Sequence, residues 1–274
     1  NEGRMGAPNV PQPQEEQKKS LLDFVSPTQF VVLPSKGKGY PEGHPLKDQE
    51  TVEVRYMTAK DEDILSSQHL LKKGIAIDRF LENVLMDKQF PVDSLLIGDK
   101  NAIIIDTRVS GYGNLYETGL NCPACGKKNE MTFDLNDKCY KEGELPEGVS
   151  MNEKGNYVFV LPASKVELEI RLLTSKDEKQ MIKKATLIEK NKVESSLVTD
   201  QYKMMIVSAQ GETSPALLSK FVDMIPIEDS KALREVYKSV SPNVEIKEQF
   251  ACFSCGHSQE LEVPFGADFF WPDR

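Results

Sequence analysis

Two Cys-x-x-Cys pairs, Cys122/Cys125 and Cys252/Cys255, constrain this chain more than any other feature. Two thiolates three positions apart converge on one cation when the backbone turns tightly. The glycine that follows each pair, Gly126 and Gly256, supplies that turn. Each knuckle leads into an alternating stretch, residues 130–135 (EMTFDL) and 259–263 (QELEV), the pattern of a return strand in a zinc-ribbon hairpin. The expectation is one structural zinc ion per chain, bound by Cys122, Cys125, Cys252 and Cys255. A four-sulfur shell is saturated, whereas a catalytic zinc keeps a position open for water. Neither pair sits in a thioredoxin-like strand-helix context, so a redox dithiol is disfavoured.

There are five cysteines, an odd number that argues against a disulfide framework. The fifth, Cys139, would compete as a ligand only if the halves bound separate ions, and is expected to be a small buried residue. His257, just past the second knuckle, is expected to face solvent or to support the site from outside. His44 and His69 have no recognisable partner. No nucleophile-base or metalloprotease pattern occurs, and Asp61, Glu62 and Asp63 sit at an expected helix start, where the dipole and solvation account for them. No enzyme activity and no small-molecule substrate are expected.

The rest of the chain reads as α+β. Residues 51–57 alternate like a half-buried strand, and Thr58-Ala59-Lys60-Asp61 starts a helix expected to run to about Gly74. Ile77, Phe80, Leu81, Val84 and Leu85 follow at helical spacing before Pro91. Residues 30–33 read as a short strand, and 34–41 as a turn-rich loop whose glycine spacing fits no phosphate-binding pattern. The order then recurs: an alternating strand over 165–173, Thr174-Ser175-Lys176-Asp177-Glu178, helical sequence, and the second knuckle. This points to an internal duplication of a strand-helix-helix unit, with the two knuckles joined in one zinc ribbon.

Four segments are expected: a flexible arm over 1–19, two α+β halves over 20–164 and 165–264, and an aromatic tail over 265–274. The arm is too polar to fold alone. In the tail, Phe269 is expected to dock on its own domain, while Phe270 and Trp271 are candidate partner-binding anchors. The first residue is Asn1, so a preceding segment is possible; no membrane span or signal-peptide core is visible. A net charge of −9 opposes general attraction to phosphate backbones, so nucleic acid is not the expected partner. A nucleic-acid-binding or regulatory zinc ribbon is the alternative, supported locally only by Lys127 and Lys128.

The segments LPSKGKGYP (33–41), VRYMTAKDEDIL (54–65), LLIGDKNAIIIDTRVSGYGNLYE (95–117), CPACG (122–126) and FFWP (269–272) together resemble the baseplate hub subunit family of T-even-type contractile-tailed bacteriophages. The resemblance implies a structural protein of the tail baseplate, at the hub or its connection to the wedges. It further implies assembly in the host cytoplasm, location in the virion, and other baseplate proteins as partners.

Overall fold

A computed structural model describes residues 27–191, 196–263 and 269–270. The arm over 1–19 and Trp271 lie outside the described residues. β1 (Thr28–Val32) pairs antiparallel with β2 (Thr51–Arg55). Period-two alternation turns Val31, Val52 and Val54 into the core. The helix expected over 60–74 is two helices, α1 (Ala59–Ser66) and α2 (Gln68–Lys73), because Ser67 adopts extended backbone between them. α3 (Ala76–Val84) follows as expected and buries Phe80, Leu81 and Val84.

α4 (Ile97–Tyr112) is the central helix, with Ala102, Ile103, Ile104 and Ile105 all buried. Its N-terminus comes so close to Pro242 that a Cβ on Gly98 would lie 2.1 Å from the Pro242 carbonyl oxygen. In its first turn, buried Asp99 accepts hydrogen bonds from the Ser35 amide (3.0 Å), the Ser35 hydroxyl (2.6 Å) and the Tyr40 hydroxyl (2.8 Å). The Tyr40 oxygen in turn accepts from the Leu96 amide at 3.1 Å. The 34–41 loop is thus tied to the core helix by a buried polar network, and His44 stacks on Tyr40 with ring centroids 4.5 Å apart.

β3 (Leu115–Asn121) and β4 (Lys128–Asp134) form a hairpin, and β5 (Cys139–Lys141) follows. β6 (Ser150–Met151), β7 (Tyr157–Val160), β8 (Glu167–Ile170) and β9 (Ile206–Ala209) make an antiparallel four-stranded sheet. α5 (Ser175–Asn191) and α6 (Leu197–Met205) lie between β8 and β9 in sequence. α7 (Pro215–Met224), α8 (Ile227–Val240), β10 (Asn243–Glu245), β11 (Lys247–Ala251) and β12 (Ser258–Glu262) complete the described elements. β10 pairs with β5, and Leu96 bridges to Thr174, so sequence-distant elements interleave. One apolar core runs from Val31 to Phe270.

The two strand-to-helix junctions make the same hydrogen bonds. Arg55 reaches Asp61 through both terminal nitrogens (2.6 and 2.9 Å), and Asp61 caps Thr58 through its amide and hydroxyl (both 2.8 Å). Arg171 and Asp177 repeat this at 2.7 and 2.9 Å, with the Thr174 amide and hydroxyl at 2.8 and 2.9 Å. Burial raises the Asp61 pKa, but the Arg55 fork, the Thr58 donors and the Asn83 amide outweigh it and hold the carboxyl at about 2. A carboxylate with a depressed folded pKa stabilises the fold above its unfolded value of about 4, and that contribution is lost as pH falls through about 2. Asp61→Asn is therefore expected to lower stability at neutral pH and to flatten its decline between about pH 4 and 2. Urea unfolding across that range measures both effects; an unchanged slope would show that Asp61 is not the titrating group.

Candidate metal centre

The two knuckles are built alike. In the first, the Cys122 amide donates to the Lys127 carbonyl (2.9 Å) and the Gly126 amide to the Cys122 carbonyl (2.8 Å). In the second, Cys252 donates to His257 (2.8 Å) and Gly256 to Cys252 (3.0 Å). Gly126 and Gly256 have φ of +72° and +71°, a left-handed conformation that costs glycine little. Each turn closes a ladder, Asn121 opposite Lys128 in β3/β4 and Ala251 opposite Ser258 in β11/β12.

The hairpins meet at their tips. Cys122 Sγ lies 3.7 Å from Cys255 Sγ, and Cys125 Sγ lies 3.7 Å from Cys252 Sγ. All four ligand atoms fall within 4.8 Å of one another. A four-sulfur tetrahedron with metal-sulfur bonds of about 2.3 Å has edges of about 3.8 Å. A disulfide would need about 2.05 Å. The four cysteines therefore form a cluster of the right size and chemistry to hold one metal ion.

Hydrogen bonds within the cluster favour negative sulfur at Cys252. Its pKa is drawn down to about 6, first by the amide of Cys255 and then by that of Ser254. Cys255 is pushed up to about 12: the His257 amide pulls it down, and the neighbouring thiols outweigh that pull. Four thiolates cannot all ionise side by side without a cation, and a divalent ion removes the conflict.

Asn129, which sequence reasoning passed over, stitches the hairpins together. Its amide nitrogen donates to the Lys127 carbonyl (2.8 Å) and lies 3.6 Å from Cys252 Sγ, while its oxygen accepts from the Phe253 amide (3.1 Å). A usable signal was its position: Asn129 and Gln259 stand at the same offset from the first cysteine of their knuckles, both polar amides. Gln259 serves the second turn, its Oε1 lying 3.1 Å from His257 Nε2.

The other candidate residues lie elsewhere. Cys139 is exposed on β5, which corrects the expectation of a buried residue, and it is outside the four-cysteine group. Phe269 packs on its own chain as expected, with Tyr116 at 4.9 Å. Phe270 is only 2% exposed and packs edge-on against Phe80 at 5.1 Å, so its apolar surface is covered by its own chain, in place of the partner pocket expected for it. Buried Arg108 fixes this corner by donating to the carbonyls of Phe269 (2.9 Å), Gly113 (2.8 Å) and Leu115 (3.3 Å). Its guanidinium also lies over the rings of Tyr116 and Phe269, at 5.1 and 5.3 Å.

A family model described as T4 bacteriophage base plate protein matches residues 26–271. The chain belongs to this family of T4-type phage baseplate proteins. No curated protein and no solved structure shows a significant match. Family membership indicates a structural component of the phage tail baseplate, located in the virion and in contact with other baseplate proteins. Among the described residues, no helix is long and apolar enough to cross a membrane.

Proposed function

We propose that this chain is a non-enzymatic baseplate subunit at the hub, or where hub meets wedge, acting through protein-protein contacts during tail assembly. In this reading one zinc ion, bound by Cys122, Cys125, Cys252 and Cys255, clasps two halves over 20–164 and 165–264. The observation that carries the zinc clasp is the convergence of four sulfurs from hairpin tips 127 residues apart in sequence. A four-cysteine shell leaves no position for a substrate or an activated water, which favours a structural ion.

The matched junctions support an origin by duplication. Arg55-x-x-Thr58-x-x-Asp61 and Arg171-x-x-Thr174-x-x-Asp177 share spacing and hydrogen bonds, and each half ends in a knuckle of the same construction. In the assembled tail, the polar segment over 1–19 serves as a contact with a neighbouring subunit.

Mass spectrometry and cryo-EM of purified phage particles test the function. The expected result is the chain in the central region of the baseplate. Its confinement to infected-cell lysate, or density only at the baseplate periphery, would contradict the hub assignment. A low-salt filter-binding titration with duplex DNA is expected to show no salt-sensitive affinity; strong salt-dependent retention would favour the nucleic-acid-binding alternative.

A further inference from the structure

Away from the metal centre, α5 presents a face that the described fold leaves uncovered. Lys179, Ile182, Lys183, Thr186 and Leu187 recur at the spacing of one helical stripe. Across a cavity of about 470 Å³ they oppose the α2–α3 turn at Leu71, Lys72, Lys73, Gly74 and Ile75. Ile182 and Leu187 are 58% and 57% exposed, so the floor of this groove is apolar and open.

The charge around that floor runs against the rest of the molecule. The chain carries −9 overall, yet the described residues lining the groove include four lysines and no carboxylate. Lys179 is neutralised by Asp78 and Asp93. Lys72, Lys73 and Lys183 have no hydrogen-bond or ion-pair partner among the described residues. An apolar channel flanked by three unpaired cations is complementary to a helix with apolar side chains on one stripe and carboxylates beside it.

We propose that this groove is the docking site for an acidic amphipathic helix of a different protein, which rests on the baseplate reading only for where that protein is found. A second copy of this chain fits poorly, since a two-fold contact through the groove would bring the lysine rims face to face. A polynucleotide would satisfy the lysines but gain nothing from Leu71, Ile182 and Leu187.

The probe is a fluorescein-labelled helical peptide of about five turns, with leucine along one stripe and glutamate elsewhere, titrated against the full metal-loaded chain. A control peptide carries lysine in place of glutamate. The glutamate peptide is expected to bind more tightly than the lysine peptide and to weaken with added salt. In the triple variant Lys72→Glu/Lys73→Glu/Lys183→Glu its affinity should fall by about tenfold or more. Among the described residues these lysines have no partners to lose, and unchanged metal content and circular dichroism would confirm that the variant folds.

Equal binding of both peptides, or no change in the variant, would overturn the proposal. So would displacement of the glutamate peptide by duplex DNA, which points to a general polyanion site. Concentration-dependent dimers abolished by Ile182→Glu would overturn it in favour of a second copy. None of these outcomes bears on whether the chain is found in the baseplate.

Discussion

Replacing Cys122 or Cys252 by serine is expected to take metal content from one ion per chain to none and to unfold both hairpin tips while the main core persists. The reason lies in how little else holds the tips together. Among the described residues their buried cluster contains Cys122, Phe250 and Cys252, with Leu261 packed at its edge and Met131 linking it to the main core. So small a cluster cannot by itself offset the entropy of ordering the two tips. A structural zinc site supplies about 10 to 16 kcal/mol of binding free energy at neutral pH, and losing one of four thiolates opens the shell. Hydrogen exchange should accelerate at the cysteine-bearing ends of β3, β4, β11 and β12, and stay slow in α4 and at the base of β3 and β4, where Tyr116 and Phe133 belong to the main core. Cys139→Ser should retain the ion, because Cys139 is exposed and away from the cluster. Acidification should release the metal, since protons compete for the same sulfurs.

Truncation after Asp268 is the second large effect, and it is expected to unfold the chain or leave it barely stable. It removes Phe269 and Phe270, which are 0% and 2% exposed. A buried Phe→Ala change costs about 3 to 5 kcal/mol, and losing both approaches the whole stability of an ordinary domain, about 5 to 15 kcal/mol. The cut also takes the Phe269 carbonyl from Arg108 and one of the two rings under its guanidinium. A buried guanidinium stripped of an acceptor adds its own penalty. Phe270→Ala alone should lower stability by about 3 kcal/mol, measured by urea unfolding. A truncated chain that unfolds with an unchanged midpoint would mean that this corner contributes nothing to the core.

The four-cysteine cluster was legible because its chemistry is written locally: two thiols three apart, a glycine, then alternation. The junction at Thr58 was legible through its capping pattern, and the same pattern at Thr174 revealed the parallel order. Other features were hidden for definite reasons. α4 gives no helical stripe because it is buried on nearly every side, and its run of three isoleucines reads equally well as a strand. The break at Ser67 interrupts a continuous helical pattern, and backbone dihedrals at one residue leave no composition signal. Phe270 illustrates a general ambiguity: a terminal aromatic has the same sequence appearance whether its pocket belongs to its own chain or to another. That pocket is formed with Phe80, 190 positions earlier, and no local pattern announces the contact. Arg108 and Asn129 act on backbone groups brought near them by folding, so their residue types alone carried no warning.

Native mass spectrometry of the purified full chain, before and after chelation, tests the zinc clasp most directly. The account predicts one zinc per chain, lost on chelation together with slow exchange in the two hairpin tips and restored with it when zinc is returned. A chain that carries no metal, carries two ions, or has the mass of the form with two disulfides would contradict it.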